Sequence, residues 1–243
     1  MAQKRDYAHP RRFRRERIPA LEHLDRLDID PVERSLSYAD LDRIGRLPGQ
    51  FRPLWRAVRR IGRLQGPGRE TLRLLEVGAG TGAVGLRLAR GLARDGHAVE
   101  LYSTDLRPDD LPAAGSANGV TVIPLRLHAL EDPLPESDIA VANLLIHHLD
   151  DSGAVQLLTR LAASSRLGGA VFDLDRNPFA FHLLRLTLPL WARSPITVAD
   201  ALISVQQAFR PEELMDLAER AGIPSPRSSR HLGLRTLLWW VSS

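Results

Sequence analysis

The run Leu74-Leu75-Glu76-Val77-Gly78-Ala79-Gly80-Thr81-Gly82 decides the fold. Apolar residues lead into three glycines, after which Ala83, Val84, Leu86, Leu88, Ala89, Leu92 and Ala93 recur at helical spacing. The pattern predicts a strand, a tight turn and a helix. Glycine adopts backbone angles that a Cβ forbids and lets a ligand approach the main chain. The helix that follows points free N–H groups at such a ligand. Nicotinamide, flavin and S-adenosylmethionine (SAM) proteins all use a turn of this kind. Glu76 discriminates among them, because an acid two residues before the first glycine suits a ligand with a positive group.

Outward from the turn, strands and helices alternate. Strands are expected over 72–77, 98–104, 120–125, 138–143 and 169–174, with helices over 82–94 and about 152–166. Such alternation implies a parallel sheet covered on both faces, with ligands at the carboxyl ends of its strands. The tail differs. An apolar run over 179–191 is broken by Ser194-Pro195. Arg210-Pro211-Glu212-Glu213 then opens a helix over 214–221, and 232–241 is strand-like with two tryptophans. Before the turn, three helical stripes are expected: Leu21, Leu24, Leu27 and Ile29; Leu36, Ala39, Leu41, Ile44 and Leu47, closed by Pro48-Gly49; and Leu54, Trp55, Val58 and Ile61. Asp30-Pro31 is a helix-start signal, and Gln65-Gly66-Pro67-Gly68 breaks the chain before the first strand.

With 243 residues the chain can bury a sizeable core as one domain with an appendage. No apolar run approaches the roughly 20 residues of a membrane span, and no apolar signal core opens the chain, so a cytoplasmic enzyme is expected. There is no cysteine, which excludes disulfides, thiolate metal sites and a cysteine nucleophile. The net charge is +4 and the pI about 10.2. Lys4 is the only lysine, a bias toward arginine that weakens any argument that the arginines were placed to hold phosphate. Residues 1–17, with Lys4, Arg5, Arg11, Arg12, Arg14, Arg15 and Arg17, read as a basic flexible tail or as an arm over RNA or an anionic substrate.

The Glu-Val-Gly-Ala-Gly-Thr-Gly string closely resembles motif I of class I SAM-dependent methyltransferases. The run Asp138-Ile-Ala-Val-Ala-Asn143-Leu-Leu-Ile-His147-His148-Leu149 resembles the strand and His-His pair of methyltransferases that include the ubiquinone and menaquinone biosynthesis group. Asp200 and the run Ser204-Val205-Gln206-Gln207-Ala208-Phe209 resemble a late insert of bacterial small-molecule methyltransferases acting on phenolic or quinone-like metabolites. The resemblance covers about 72–241. It implies an α/β fold, a doubly wound, mostly parallel, seven-stranded Rossmann-like sheet closed by an antiparallel hairpin. It also implies an N-terminal helical cap over 18–68, a SAM-binding domain over 69–243, and SAM as cofactor. Glu76 would sit near the methionine ammonium, with Gly78, Ala79, Gly80, Thr81 and Gly82 around the amino-acid end. Leu106 would lie along adenine. Asn143 and Leu144 would line the methionine end.

Asp105 closes the second strand, where a carboxylate can accept both ribose hydroxyls of a nucleoside. The third strand runs into His128-Ala129-Leu130. Many methyltransferases carry a carboxylate where His128 stands, so backbone at Ala129 or Leu130 is the expected contact to adenine. Methyl transfer is an in-line displacement that proximity accelerates. A phenol with pKa near 10 needs help losing its proton, and His147 or His148 is the expected general base, unless both only shape the pocket. Asp173, Asp175, Arg176 and Asp200 are candidate substrate contacts, with capping or packing roles as the alternative. No metal is expected, because His147 and His148 are adjacent and lack the i,i+4 ligand spacing.

The expected reaction is O-methylation in secondary metabolism, on a small aromatic or quinone-like partner, by a monomer or homodimer. Nucleic acid is not the favoured partner. A base N-methyltransferase would show Asn/Asp-Pro-Pro-aromatic where Asn143-Leu-Leu-Ile stands, and a base C5-methyltransferase needs a cysteine. An RNA-binding or RNA-modifying protein using the basic N-terminus, and a nicotinamide oxidoreductase, are the alternatives.

Overall fold

The strand before the glycines lies in the middle of the sheet. In the computed structural model, which describes residues 7–26, 29–45, 50–66, 71–107 and 111–242, β1 (Leu72–Val77) pairs in parallel with β2 (Val99–Asp105) on one side and β5 (Ser137–Asn143) on the other. Lys4, Arg5, Leu27, Leu47, Pro48-Gly49, Pro67-Gly68 with the 68/69 boundary, and Pro108 lie outside the described residues. Beyond β2 come β4 (Val120–Arg126) and the short β3 (Gly115–Ala117); beyond β5 come β6 (Ser165–Leu174), β8 (Arg235–Val241) and β7 (Arg227–His231). The order is β3-β4-β2-β1-β5-β6-β8-β7, parallel from β4 to β6 and antiparallel at both ends. Both faces of β1 and β5 are buried, as a sheet covered by helices on two sides requires.

Seven strands were expected, and eight form. The extra one, β3, folds back on β4 through Asn118 and Gly119, at φ 52° and 77°. Two successive positive φ values make the tight hairpin turn that Asn-Gly favours. The helix expected to reach 166 ends earlier. α4 (Asp151–Ser164) stops where Ser165 turns extended and β6 begins. Arg166 then pairs with Asp138 at 2.7 Å instead of closing a helix.

Helix starts follow their local chemistry. Asp150 accepts from Gly153 N at 2.7 Å at the start of α4, Asn177 from Ala180 N at 2.8 Å at α5 (Pro178–Thr187), and Ser194 from Ile196 N at 3.2 Å at α6 (Pro195–Gln207). Proline opens α5, α6, α7 (Pro211–Arg220) and α1 (Pro31–Gly45). Asp30 accepts from Val32 N at 2.8 Å to start α1.

The core has three parts. On one sheet face, α2 (Arg52–Gly62) and α3 (Ala83–Arg94) bury Leu54, Val58, Ile61, Leu88 and Leu92 against Leu72, Leu74, Ile139 and Phe172. On the other, α4 and α7 bury Leu157, Leu158, Leu214 and Leu217 against Leu75, Ala140 and Val171. A third cluster joins α5 and α6 through Phe181, Leu202 and Val205, with Phe13 of the N-terminal segment packed on it. α1 meets α6 through buried Asp40, whose Oδ2 accepts from Thr197 Oγ1 at 3.1 Å and from Arg193 N at 2.7 Å.

The segment before α1 differs from expectation. Over 18–26 and 29–30 only a single turn, His23–Asp25, is helical. Beyond the bonds of that one turn, its polar groups bond to the body: His23 N and Leu24 N both donate to Asp200 at 2.8 Å. Residues 7–17 are likewise held rather than free. Arg14 N donates to Gln206 Oε1 at 2.9 Å, and Gln206 Nε2 donates back to Arg14 O at 2.9 Å.

Candidate active site

The three glycines of the turn all have positive φ: 67° at Gly78, 53° at Gly80 and 66° at Gly82. L side chains rarely adopt this region, so glycine is required. Their surroundings differ. A Cβ at Gly78 would lie 2.8 Å from Leu145, and one at Gly82 2.6 Å from Pro112, whereas one at Gly80 would meet no atom within 4 Å. The main chain at Gly80 therefore faces open space. Gly80 N donates to Asp105 Oδ2 at 2.8 Å, which ties the turn to the end of β2. Thr81 and Leu106 are exposed on either side. The turn is closed by Gly82 N donating to Ala79 O at 2.8 Å.

Glu76 stands behind this turn, buried. Its Oε1 accepts from Gly85 N at 2.9 Å in the first turn of α3, and its Oε2 lies 3.4 Å from Ser103 Oγ. Burial outweighs these hydrogen bonds and pushes the carboxyl up to about 8. Once ionised, an acid in this place is a strong site for a cation, and a cation beside it lowers its pKa.

The end of β5 lies beside the turn, since Val77 is opposite Ala142 in register. Asn143 Oδ1 is buried without a hydrogen-bond partner. Leu144 has φ 54°, an unusual conformation for a residue with a branched side chain, of the kind that clusters at functional sites. At the end of β4, His128 N donates to Asp132 at 2.7 Å. The carbonyls of Ala129 and Leu130 accept from Arg160 and Gln156, each at 2.9 Å. These two carbonyls are thus turned toward α4.

Just past β5, His147 and His148 stack with centroids 4.1 Å apart but have different surroundings. His147 is buried between two acids: Nδ1 lies 2.7 Å from Asp173 Oδ1 and Nε2 3.2 Å from Glu22 Oε1. Burial alone would lower its pKa; Asp173, then Glu22, outweigh burial and push it up to about 10. His147 is an imidazolium at neutral pH, which conflicts with the expectation that it is a general base. His148 is part-exposed, and its Nδ1 lies 3.1 Å from Asp25 Oδ2. Asp25 stays ionised: burial raises its pKa, but the bond to His148 and nearby positive charge outweigh that.

The four expected substrate contacts are each bonded within the protein. Asp173 holds His147. Asp175 pairs with Arg230 and accepts from Asn177 Nδ2 at 2.7 Å. Arg176 pairs with Glu213. Asp200 accepts the two backbone N–H groups of the N-terminal segment, and burial raises its pKa to about 6. All four are buried. Glu22, His147 and His148 offer ligand atoms within 4.8 Å of one another. Folding assembles this cluster from two distant segments, which sequence spacing does not register. With Nδ1 of His147 donating to Asp173, the gap between Nε2 and Glu22 needs a cation, and the imidazolium proton supplies it.

No family model matches the chain, and no curated protein matches it. Solved structures do. A methyltransferase of calicheamicin biosynthesis with S-adenosylhomocysteine bound is 16% identical with a TM-score of 0.58, over 87% of this chain and 59% of that one. The magnesium protoporphyrin IX methyltransferase of Synechocystis, also with S-adenosylhomocysteine, is 12% identical with a TM-score of 0.50, over 87% and 98%. The CMeT domain of citrinin polyketide synthase is 14% identical with a TM-score of 0.50, over 70% and 46%. The fold is the methyltransferase fold. The chain spans about half the length of several of these structures, 56% and 46% in two further cases.

Within this methyltransferase fold, the residues that sequence reasoning missed all come from the N-terminal segment and its contacts. Glu22 and Asp25 reach the two histidines, Ser204 Oγ donates to Glu22, and Arg17 donates to His147 O at 2.9 Å and to Leu149 O. Arg107 donates to Leu24 O at 3.1 Å. No local motif marks Glu22 or Asp25; Ser204 and Arg17 belong to stretches singled out in the sequence, but not for these contacts. Among the described residues, no helix is long and apolar enough to cross a membrane.

Proposed function

We propose that this chain binds SAM and transfers its sulfonium methyl to a small phenolic or quinone-like acceptor, on oxygen. The observation that carries this reading is the turn at Gly78, Gly80 and Gly82, open only at Gly80 and backed by Asp105 and the unpartnered Asn143 Oδ1. These groups suit SAM. Open backbone admits its amino-acid end, Asn143 Oδ1 can accept from its ammonium, and Asp105 stands at the end of β2 where a ribose diol would lie. The bound cofactor supplies an electrophilic methyl group. The protein's own part is to position the acceptor and remove its proton.

His148 is the better candidate for the base. Asp25 orients its Nδ1, the arrangement expected of a base held by a third group, while His147 keeps its proton. The N-terminal segment, α1, α5 and α6 together form the cap over the acceptor side in this reading. Calorimetric titration with SAM, S-adenosylhomocysteine and NADH is the test. Micromolar binding of the two sulfur ligands alone is expected; binding of NADH instead would sink the reading.

A second reading has one observation in its favour. Arg11, Arg12, Arg14 and Arg15 are exposed along the anchored N-terminal segment, a basic strip that RNA could follow. It requires RNA binding with a steep salt dependence, lost when the four arginines become glutamine.

A further inference from the structure

The start of α2 and the β7–β8 hairpin border a half-open cavity of about 420 Å³. Its wall includes Arg52 and Arg56 of α2, Phe172 of β6, and Arg230, His231 and Arg235 of the hairpin. No acidic side chain lines it among the described residues. Arg235 is only 7% exposed, and its Nη1 has no hydrogen-bond acceptor. The guanidinium lies 5.4 Å from the centre of the Phe172 ring. Arg230 is neutralised by Asp175. Asp173 attracts Arg235 without bonding to it. Neither Arg52 nor Arg56 pairs with an acid among the described residues, and the charge of Arg56 reaches His231.

A buried guanidinium nitrogen without an acceptor is costly, and an anion that reaches it removes that cost. The planar fork of arginine matches a carboxylate or phosphate bidentately. Leu232 and Leu234 supply apolar surface beside the charges. The volume is that of a small-molecule site, roughly 300–1,000 Å³. We propose that this cavity binds a small organic acid, a carboxylate or phosphate ester carried on an apolar body. Of the elements proposed to cover the acceptor, none lines this cavity, and neither does His148, so it is an anion site apart from the place of methyl transfer, joined to it only through the pairing of β6 with β5.

The test is calorimetric titration of the full chain with benzoate and phenyl phosphate, benzamide as neutral isostere, and S-adenosylhomocysteine in parallel. The acids are expected to bind at least about tenfold more tightly than benzamide. Arg235→Met should weaken them about tenfold or more, with unchanged circular dichroism. Arg56→Gln, at an exposed position, should weaken them several-fold, and decides the matter if Arg235→Met does not fold. Equal binding of benzamide, or acid binding unchanged in both variants, overturns the proposal. Acids that bind while S-adenosylhomocysteine does not would uphold the cavity and remove the methyl-donor reading. The converse result would remove the cavity alone.

Discussion

Nε2 of His147 lies 3.2 Å from a carboxylate oxygen of Glu22, a residue 125 positions earlier. With Asp173 on Nδ1, the imidazolium is the centre of a buried acid–cation–acid triad. The triad fastens the N-terminal segment to the end of β5, and Arg17 reinforces it by donating to His147 O.

The triad makes stability depend on pH. The folded pKa of His147, about 10, is above its ordinary value of 6.5, so its contribution is complete below about 6.5 and is lost as pH rises through about 10. The melting temperature should fall across that window. Glu22→Gln should cost about 1–3 kcal/mol at neutral pH, less than a fully unpaired charge because Asp173 remains, and should flatten the alkaline slope. Thermal unfolding from pH 6 to 10 measures both; identical slopes in the two proteins would contradict the pairing.

Gly80 separates folding from binding. Its φ of 53° opposes any side chain, but a Cβ there meets nothing. Gly80→Ala should cost roughly 1–3 kcal/mol in backbone strain and leave a folded protein. SAM affinity should drop by at least about tenfold, because the methyl group occupies the space offered to ligand. Circular dichroism with calorimetry reads the two effects apart.

Glu76 predicts how cofactor affinity varies with pH. Burial holds its carboxyl at about 8, so it gains charge as pH rises from 6.5 to 8, and a cationic ligand gains affinity over the same range. Relative to Glu76→Gln, the wild type should bind SAM progressively better across that interval. A constant ratio of the two affinities would place the methionine ammonium elsewhere.

His148 and Asp25 predict a kinetic split. His148→Gln should lower kcat by about 10²–10⁴ where the acceptor is a phenol, while SAM binding stays unchanged. Asp25→Asn should lower kcat less, because it removes only the group that orients His148. If His148→Gln retains full kcat, the proton goes directly to water or to another group.

Gly169 predicts a packing limit. A Cβ there would lie 2.4 Å from the Trp240 ring and 2.7 Å from Ala140 O, both in the closed sheet. Gly169→Val should destabilise the protein by about 3 kcal/mol or more, as overpacking in a rigid core does, read by chemical denaturation.

The sequence by itself determined β1, the glycine turn and the alternation of strands and helices, because these signals are local. A glycine that must take positive φ, a proline opening a helix and an apolar period each act within a few residues of chain. The Asn118-Gly119 turn that makes the eighth strand is equally local, yet the expectation of seven strands passed over it. The tertiary structure alone decided the rest. The stripe before Asp30 does not become a helix beyond His23–Asp25, since its polar groups bond to Asp200 instead. His147 and His148 look alike in sequence, yet one is a locked imidazolium and the other a part-exposed base candidate. Asp173, Asp175, Arg176 and Asp200 turn inward to hold elements together. A partner such as Glu22 leaves no mark in the sequence near His147, because a contact across 125 residues is set by how the packed layers bring the two segments together, and the two acids placed there, against the opposing effect of burial, set the charge.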